Sequence, residues 1–121
     1  LHIPLLPDTK DFISARELAM MPKGARLLNV ARGGVVNEQA LADALSIGHI
    51  AGAGLDVFEE EPYRGALTTL PNCVLSPHMG SVTRDCRLRM ELEAAQEVVR
   101  YFKRQPFACP VPESEYLAEG E

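Results

Sequence analysis

Hydrophobic residues in this chain fall into short aliphatic blocks, separated by polar stretches that carry glycine and proline. Ala25–Ala31 (ARLLNVA), Ala51–Val57 (AGAGLDV) and Cys73–Ser76 are small, apolar and lack polar alternation. They read as strands of a parallel sheet, buried on both faces. The segments between them change period. Ser14 with Glu17 forms a capping-box pattern that opens a short helix through about Met21, broken by Pro22-Lys23-Gly24. Asn37 suits the N-cap of a helix through about Ile47, with Ala40, Leu41, Ala44 and Leu45 on one face and Gly48 at its end. Leu1–Pro7 reads as the end of a strand running into a proline-rich turn. Asp8–Thr69 thus runs helix, strand, helix, strand, loop, a βαβ pattern with a parallel, right-handed crossover. Ser81 or Thr83 opens the longest helix, to about Arg104, with Met90, Leu92, Ala95, Val98, Val99 and Phe102 at helical spacing. Some 20 residues at about 1.5 Å each make a rod of roughly 30 Å. From Pro106, with Pro110 and Pro112, the tail reads as loop.

Composition changes this picture little. The 121 residues are 46% hydrophobic and 24% charged, with a net charge of −5, which argues against a phosphate-backbone binder. The densest basic group, Arg84, Arg87 and Arg89, is interleaved with Asp85, Glu91 and Glu93 and reads as a solvated helix face. No apolar run reaches the roughly 18 residues of a membrane span, and no signal peptide is visible. Cys73, Cys86 and Cys109 are odd in number and lack metal or redox spacing, so they read as reduced thiols in a cytoplasmic protein. The chain opens LHIPLLP, with no initiator Met and on a strand end without its partners. It is therefore expected to be a piece of a longer polypeptide.

Chemistry enters where the strands end. In open parallel sheets ligands bind outside the carboxyl ends of the strands. There the first block delivers Arg32, the second Asp56 and then Glu61, and the third His78. A guanidinium beside Gly33 and Gly34 suits a carboxylate, or is a surface arginine in a turn. An imidazole between Pro77 and Met79-Gly80 suits a general acid or base, or is simply exposed. Glu59, Glu60 and Glu61 by default are solvated surface, and only Glu61 is set against a proline. Asp56 lies inside an apolar run, where an unpaired carboxylate is costly, so it needs a partner: a structural hydrogen bond or a ligand amide. His2 and His49 have no paired-ligand spacing, so no metal is assigned. Ser76 and Ser81 lack a nucleophile-elbow setting, which argues against covalent hydrolysis. The residues by themselves point to an α/β enzyme acting on a small carboxylate by acid/base chemistry.

Four stretches in this order, HIPLLPDT, LLNVARGGVVNEQAL, GAGLDVFEEEP and SPHMGSVT, resemble the nucleotide-binding domain of the D-isomer-specific 2-hydroxyacid dehydrogenases. The likeness runs from about Leu1 to Phe102. It implies part of a Rossmann-like doubly wound parallel sheet, βαβαβ plus a long C-terminal helix. Residues 1–104 would be the C-terminal half of the dinucleotide-binding domain, with the long helix returning the chain to the substrate domain. Residues 105–121 would be a tail, a remnant of that substrate domain or disordered. Arg32 would hold the substrate carboxylate, His78 would be the general acid/base and Glu61 would pair with it. Asp56 would bond the nicotinamide carboxamide, and Ile3, Pro4, Val30, Ala31, Arg32, His78 and Gly80 would contact the cofactor.

The resemblance thus implies an oxidoreductase moving hydride between NAD, with NADP not excluded, and a small D-2-hydroxy or 2-keto acid. The parent would be a homodimer. The chain has no G-x-G-x-x-G and no acid about 20 positions beyond one, so the phosphate-binding half is not in it. Two further readings go with the same motifs: an NAD(H)-sensing binding protein like the family's corepressors, and an inactive truncated product.

Overall fold

The computed structural model is described over residues 1–112. The chain forms two units, Leu1–Gly80 and Ser81–Glu121. The first holds α1 (Ala15–Met20), β1 (Ala25–Asn29), α2 (Glu38–Ser46), β2 (Ile50–Leu55), a 3₁₀ turn (Ala66–Thr69) and β3 (Cys73–Leu75). The three strands form one parallel sheet in the order β1-β2-β3. The parallel α/β architecture expected from the sequence is thus present, with α2 bridging the first two strands and a loop with the 3₁₀ turn bridging the last two.

Local chemistry sets the helix ends. The Glu17 carboxylate accepts the backbone N–H of Ser14 at 3.1 Å and its hydroxyl at 2.9 Å. Arg16 beside it holds the Glu17 pKa down to about 2. Asn37 Oδ1 accepts from the Ala40 N–H at 2.9 Å, while its Nδ2 donates to Asp11 at 3.0 Å, so one side chain caps α2 and ties down the preceding loop. Gly48, at φ +71°, then takes the left-handed conformation that ends the helix.

The core lies on one side of the sheet. Leu41, Ala42, Ala44 and Leu45 of α2 are buried, and they join Leu18, Leu27, Ile50, Ala53, Leu55 and Leu67 in one cluster. The register pairs Leu27 with Ala53 and Asn29 with Leu55, placing all four on the covered face. Leu28 and Val74 flank Gly54 on the opposite face and are 65% and 74% exposed. The strands expected to be buried on both faces therefore bury one. The apolar blocks alone could not reveal this, because α1, α2 and the 3₁₀ turn pack on the same side.

Leu1–Pro7, expected as a strand end, forms no ladder. It reaches β1 at Leu1, whose backbone nitrogen donates to the Leu28 carbonyl at 2.8 Å. Pro4 and Pro7 have no N–H to give, and the Thr9 hydroxyl folds the segment back by donating to the Pro4 carbonyl at 2.8 Å.

In the second unit, α3 (Arg84–Phe102) is capped by Thr83, whose Oγ1 accepts from the Cys86 N–H at 3.3 Å. The expected stripe of Met90, Leu92, Ala95, Val98, Val99 and Phe102 is present in the helix, yet no residue of α3 is buried. Residues 106–112 form no helix or strand, as expected for the tail, and the rest of that tail lies outside the described residues. Among the described residues, no helix is long and apolar enough to cross a membrane.

Candidate active site

The carboxyl ends of the strands carry the site. β1 ends at Asn29, whose side chain is buried with both of its polar atoms bonded. Its Nδ2 donates to the Arg32 carbonyl at 3.0 Å and its Oδ1 accepts from the Ala31 N–H at 3.2 Å. Asn29 thus folds the turn that presents Arg32. The Arg32 Nη1 donates to the Ala31 carbonyl at 2.7 Å. Next in the turn, a Cβ on Gly33 would lie about 1.9 Å from the Phe58 carbonyl oxygen. The missing side chain at Gly33 admits the backbone of the segment that follows β2.

That segment begins with Asp56, 8% exposed. Its Oδ1 accepts from the Ser76 hydroxyl at 2.6 Å and the Met79 N–H at 2.8 Å, and its Oδ2 accepts from the Gly80 N–H at 3.0 Å. These bonds, the Met79 amide first and the Ser76 hydroxyl next, hold the Asp56 carboxyl below its ordinary range. Of the two partners open to Asp56 in the sequence, the structure supplies the structural one. It clamps the two amides just after His78, and the His78 backbone takes the left-handed conformation at φ +53°.

Glu61 meets His78 from the other side. Its Oε2 lies 3.1 Å from the imidazole Nδ1, while its Oε1 accepts the Phe58 N–H at 3.1 Å. The His78 contact chiefly, and the Phe58 amide after it, lower the Glu61 pKa. The two side chains remain 50% and 38% exposed, so the pair faces open space.

Arg32, Glu61 and His78, from three separate segments, line one cleft of about 380 Å³ together with Leu5, Lys10, Gly33, Gly34, Phe58 and Glu59. Lys10 enters it paired with Glu59 at 3.3 Å. Asp56 and Gly80 sit behind the His78 turn and bond each other. Ile3, Pro4, Val30 and Ala31 do not line this cleft: Ala31 is buried in the turn after β1, Ile3 is half-buried, and Pro4 and Val30 are exposed. Asn29, Ser76 and Lys10 were not among the expected site residues. Asn29 had a signal, a polar residue inside the apolar run LLNVA, of the same kind that singled out Asp56.

The fold has relatives among known proteins. Residues 1–80 match the family described as D-isomer specific 2-hydroxyacid dehydrogenase, NAD binding domain. The glyoxylate reductase of Thermococcus litoralis is 47% identical over 104 residues, 85% of this chain and 31% of that protein. The D-3-phosphoglycerate dehydrogenase of Bacillus subtilis is 41% identical over 106 residues, 87% of this chain and 20% of that protein. Among solved structures, the NADPH-dependent glyoxylate/hydroxypyruvate reductase of Sinorhizobium meliloti, in complex with NADP and malonate, superposes with a TM-score of 0.88 at 37% identity. That match covers 93% of this chain and 35% of the other. The chain therefore spans less than a third of the length of these two curated relatives, 20% and 31%. With two-thirds of its residues matched to the family model, and with this parallel fold, the chain belongs to the D-isomer specific 2-hydroxyacid dehydrogenases by way of their NAD binding domain.

Proposed function

We propose that this chain supplies the acid/base and carboxylate-binding residues of an NAD- or NADP-dependent reductase or dehydrogenase of small D-2-hydroxy and 2-keto acids. The observation that carries this reading is the meeting of Arg32, Glu61 and His78 in one cleft, with Glu61 Oε2 3.1 Å from His78 Nδ1. A carboxylate against Nδ1 favours the proton there and leaves Nε2 to exchange a proton with substrate. In oxidation His78 takes the hydroxyl proton from the substrate, and in reduction it returns one to the nascent alkoxide. Arg32 holds the substrate carboxylate with paired N–H donors and so fixes which carbon faces the hydride path. For this its guanidinium exchanges the Ala31 carbonyl for the substrate.

The residues fit the nicotinamide end of such a cofactor. Val30, which directly follows β1, offers apolar surface, as do Ile3 and Pro4, and Asp56 Oδ2, which accepts one protein bond, can accept a carboxamide N–H beside Gly80. The bound cofactor supplies or takes the hydride. On the same reading residues 1–104 form half of the dinucleotide-binding domain and 105–121 a remnant of the substrate domain. The parent is then a cytoplasmic homodimer.

The test is turnover by the polypeptide that carries this chain, followed as absorbance of reduced NAD and NADP with glyoxylate, hydroxypyruvate and larger 2-keto acids. Saturable turnover is expected, and His78→Ala should lower it by about 10²–10⁴-fold. Turnover retained within a few-fold would remove His78 from the mechanism. Cofactor binding without turnover on any acid would favour a nucleotide-sensing role.

A further inference from the structure

Glu61 approaches His78 from a loop, so its geometry depends on what holds that loop. The segment after β2 is pressed against Gly33 at Phe58. Beyond that contact, two of its amides end on carboxylates. The Phe58 N–H donates to Glu61 itself, and the Glu59 N–H donates to Oε1 of Glu38, the first residue of α2, at 2.8 Å. A charged acceptor makes this a stronger bond than an amide gives to water or a carbonyl. It joins the loop to a helix capped independently by Asn37. The Glu59 side chain also pairs with Lys10, but both partners are more than half exposed, and such pairs hold little. Glu38 is the firmer anchor. Its carboxyl is partly desolvated, which raises its pKa.

We propose that Glu38 is a positioning residue for the Glu61–His78 pair, fixing through the Glu59 amide the segment from which Glu61 reaches the imidazole. The inference rests on the acid/base reading of that pair. Glu38 is faced by Glu59, Glu60, Tyr63 and Arg64 from the loop after β2. Glu61 is faced by His78 and Asp56, and shares its cleft with Arg32, Lys10 and Glu59. A direct effect of the Glu38 charge is separable from anchoring, because Glu38→Gln keeps an acceptor oxygen without the charge and Glu38→Asp keeps the charge on a shorter arm.

The experiment follows the Glu61 side-chain carboxyl carbon by ¹³C NMR in the 121-residue chain, over roughly pH 2 to 7. His78→Ala sets the full release of Glu61, seen as a rise of its titration midpoint toward the ordinary carboxylate range. Glu38→Ala and Glu38→Asp should each produce most of that rise, and Glu38→Gln little of it. If Glu38→Ala does not fold, judged by its amide spectrum, Glu38→Asp reads the same quantity. An unmoved midpoint in the Ala and Asp variants, against a moved one in His78→Ala, overturns the positioning role alone. A Gln variant that matches the Ala variant overturns it too, in favour of charge. A midpoint that His78→Ala leaves in place overturns the pair itself and with it the acid/base reading.

Discussion

Two carboxylates bracket His78, and they work from opposite environments. Asp56 sits at the end of β2, buried, with three donors from Ser76, Met79 and Gly80. Glu61, five residues on, stands in a half-exposed loop with one oxygen on a backbone amide and the other toward the imidazole. Asp56 grips main chain and so fixes where His78 stands. Glu61 faces the ring, and on the proposed function it biases which nitrogen carries the proton. A buried carboxylate bonded to amides is poorly placed to change protonation during a reaction, since its charge satisfies groups that have no other partner. A half-exposed carboxylate can respond to a proton arriving on its neighbour. The contrast separates placement from chemistry within a single turn of chain.

Removing the buried member should have the larger effect. Asp56→Ala leaves two amides and a hydroxyl without their acceptor, and should destabilise the chain by roughly 2–4 kcal/mol, read as a lower urea midpoint. Turnover of the enzyme carrying it should fall as well, because the His78 turn loses its clamp. A urea midpoint unchanged by this substitution would erase the distinction between the two acids. Arg32→Ala comes next: KM for the 2-keto acid should rise about 10–100-fold while cofactor affinity changes far less, read from steady-state kinetics and cofactor fluorescence. Equal KM values would free Arg32 from the carboxylate role. Glu61→Gln keeps the shape of the loop and should leave the urea midpoint close to that of the parent. Turnover should drop about tenfold or more, and the pH–rate profile should shift. A stability loss as large as that of Asp56→Ala would make Glu61 another structural carboxylate.

What the sequence made legible were features decided by near neighbours. The Ser14–Glu17 box, the Asn37 cap and the Gly48 terminus each close within a few residues, and the structure forms all three. The strand blocks were visible because aliphatic runs with strand-like bounds have few other uses in a small α/β domain. The convergence of Arg32 and His78 followed from placing each at the end of a strand in a parallel sheet, while the pairing of Glu61 with His78 was implied by the resemblance. The supports were not legible. Ser76 meets Asp56 across neighbouring strands, and Gly33 meets Phe58 between two connections 25 residues apart in the chain. Such contacts depend on register and on how closely two turns approach, which hydrophobic pattern does not encode. The exposed face of Leu28 and Val74 escaped for a related reason: apolarity marks a strand, but packing decides how many of its faces are covered.

The smallest effect expected from the comparison is its dependence on acid. The Asp56 pKa is lowered by folding, so the native state binds this proton less readily than the unfolded chain. The stabilisation it brings is therefore complete above the unfolded value, near pH 4, and is lost as pH falls through the lowered native value. Glu61 is shifted in the same direction, but by an imidazole contact in open surroundings, where solvent and salt weaken the coupling. Urea unfolding of the chain between about pH 2 and 6 should show stability falling at the acid end. Asp56→Asn should flatten more of that slope than Glu61→Gln does. Added salt should reduce the Glu61 share and spare that of Asp56, because the buried amide bonds are shielded from ions that reach the exposed pair. Equal salt sensitivity of the two shares would place both carboxylates in the same environment and remove the basis for giving them different work.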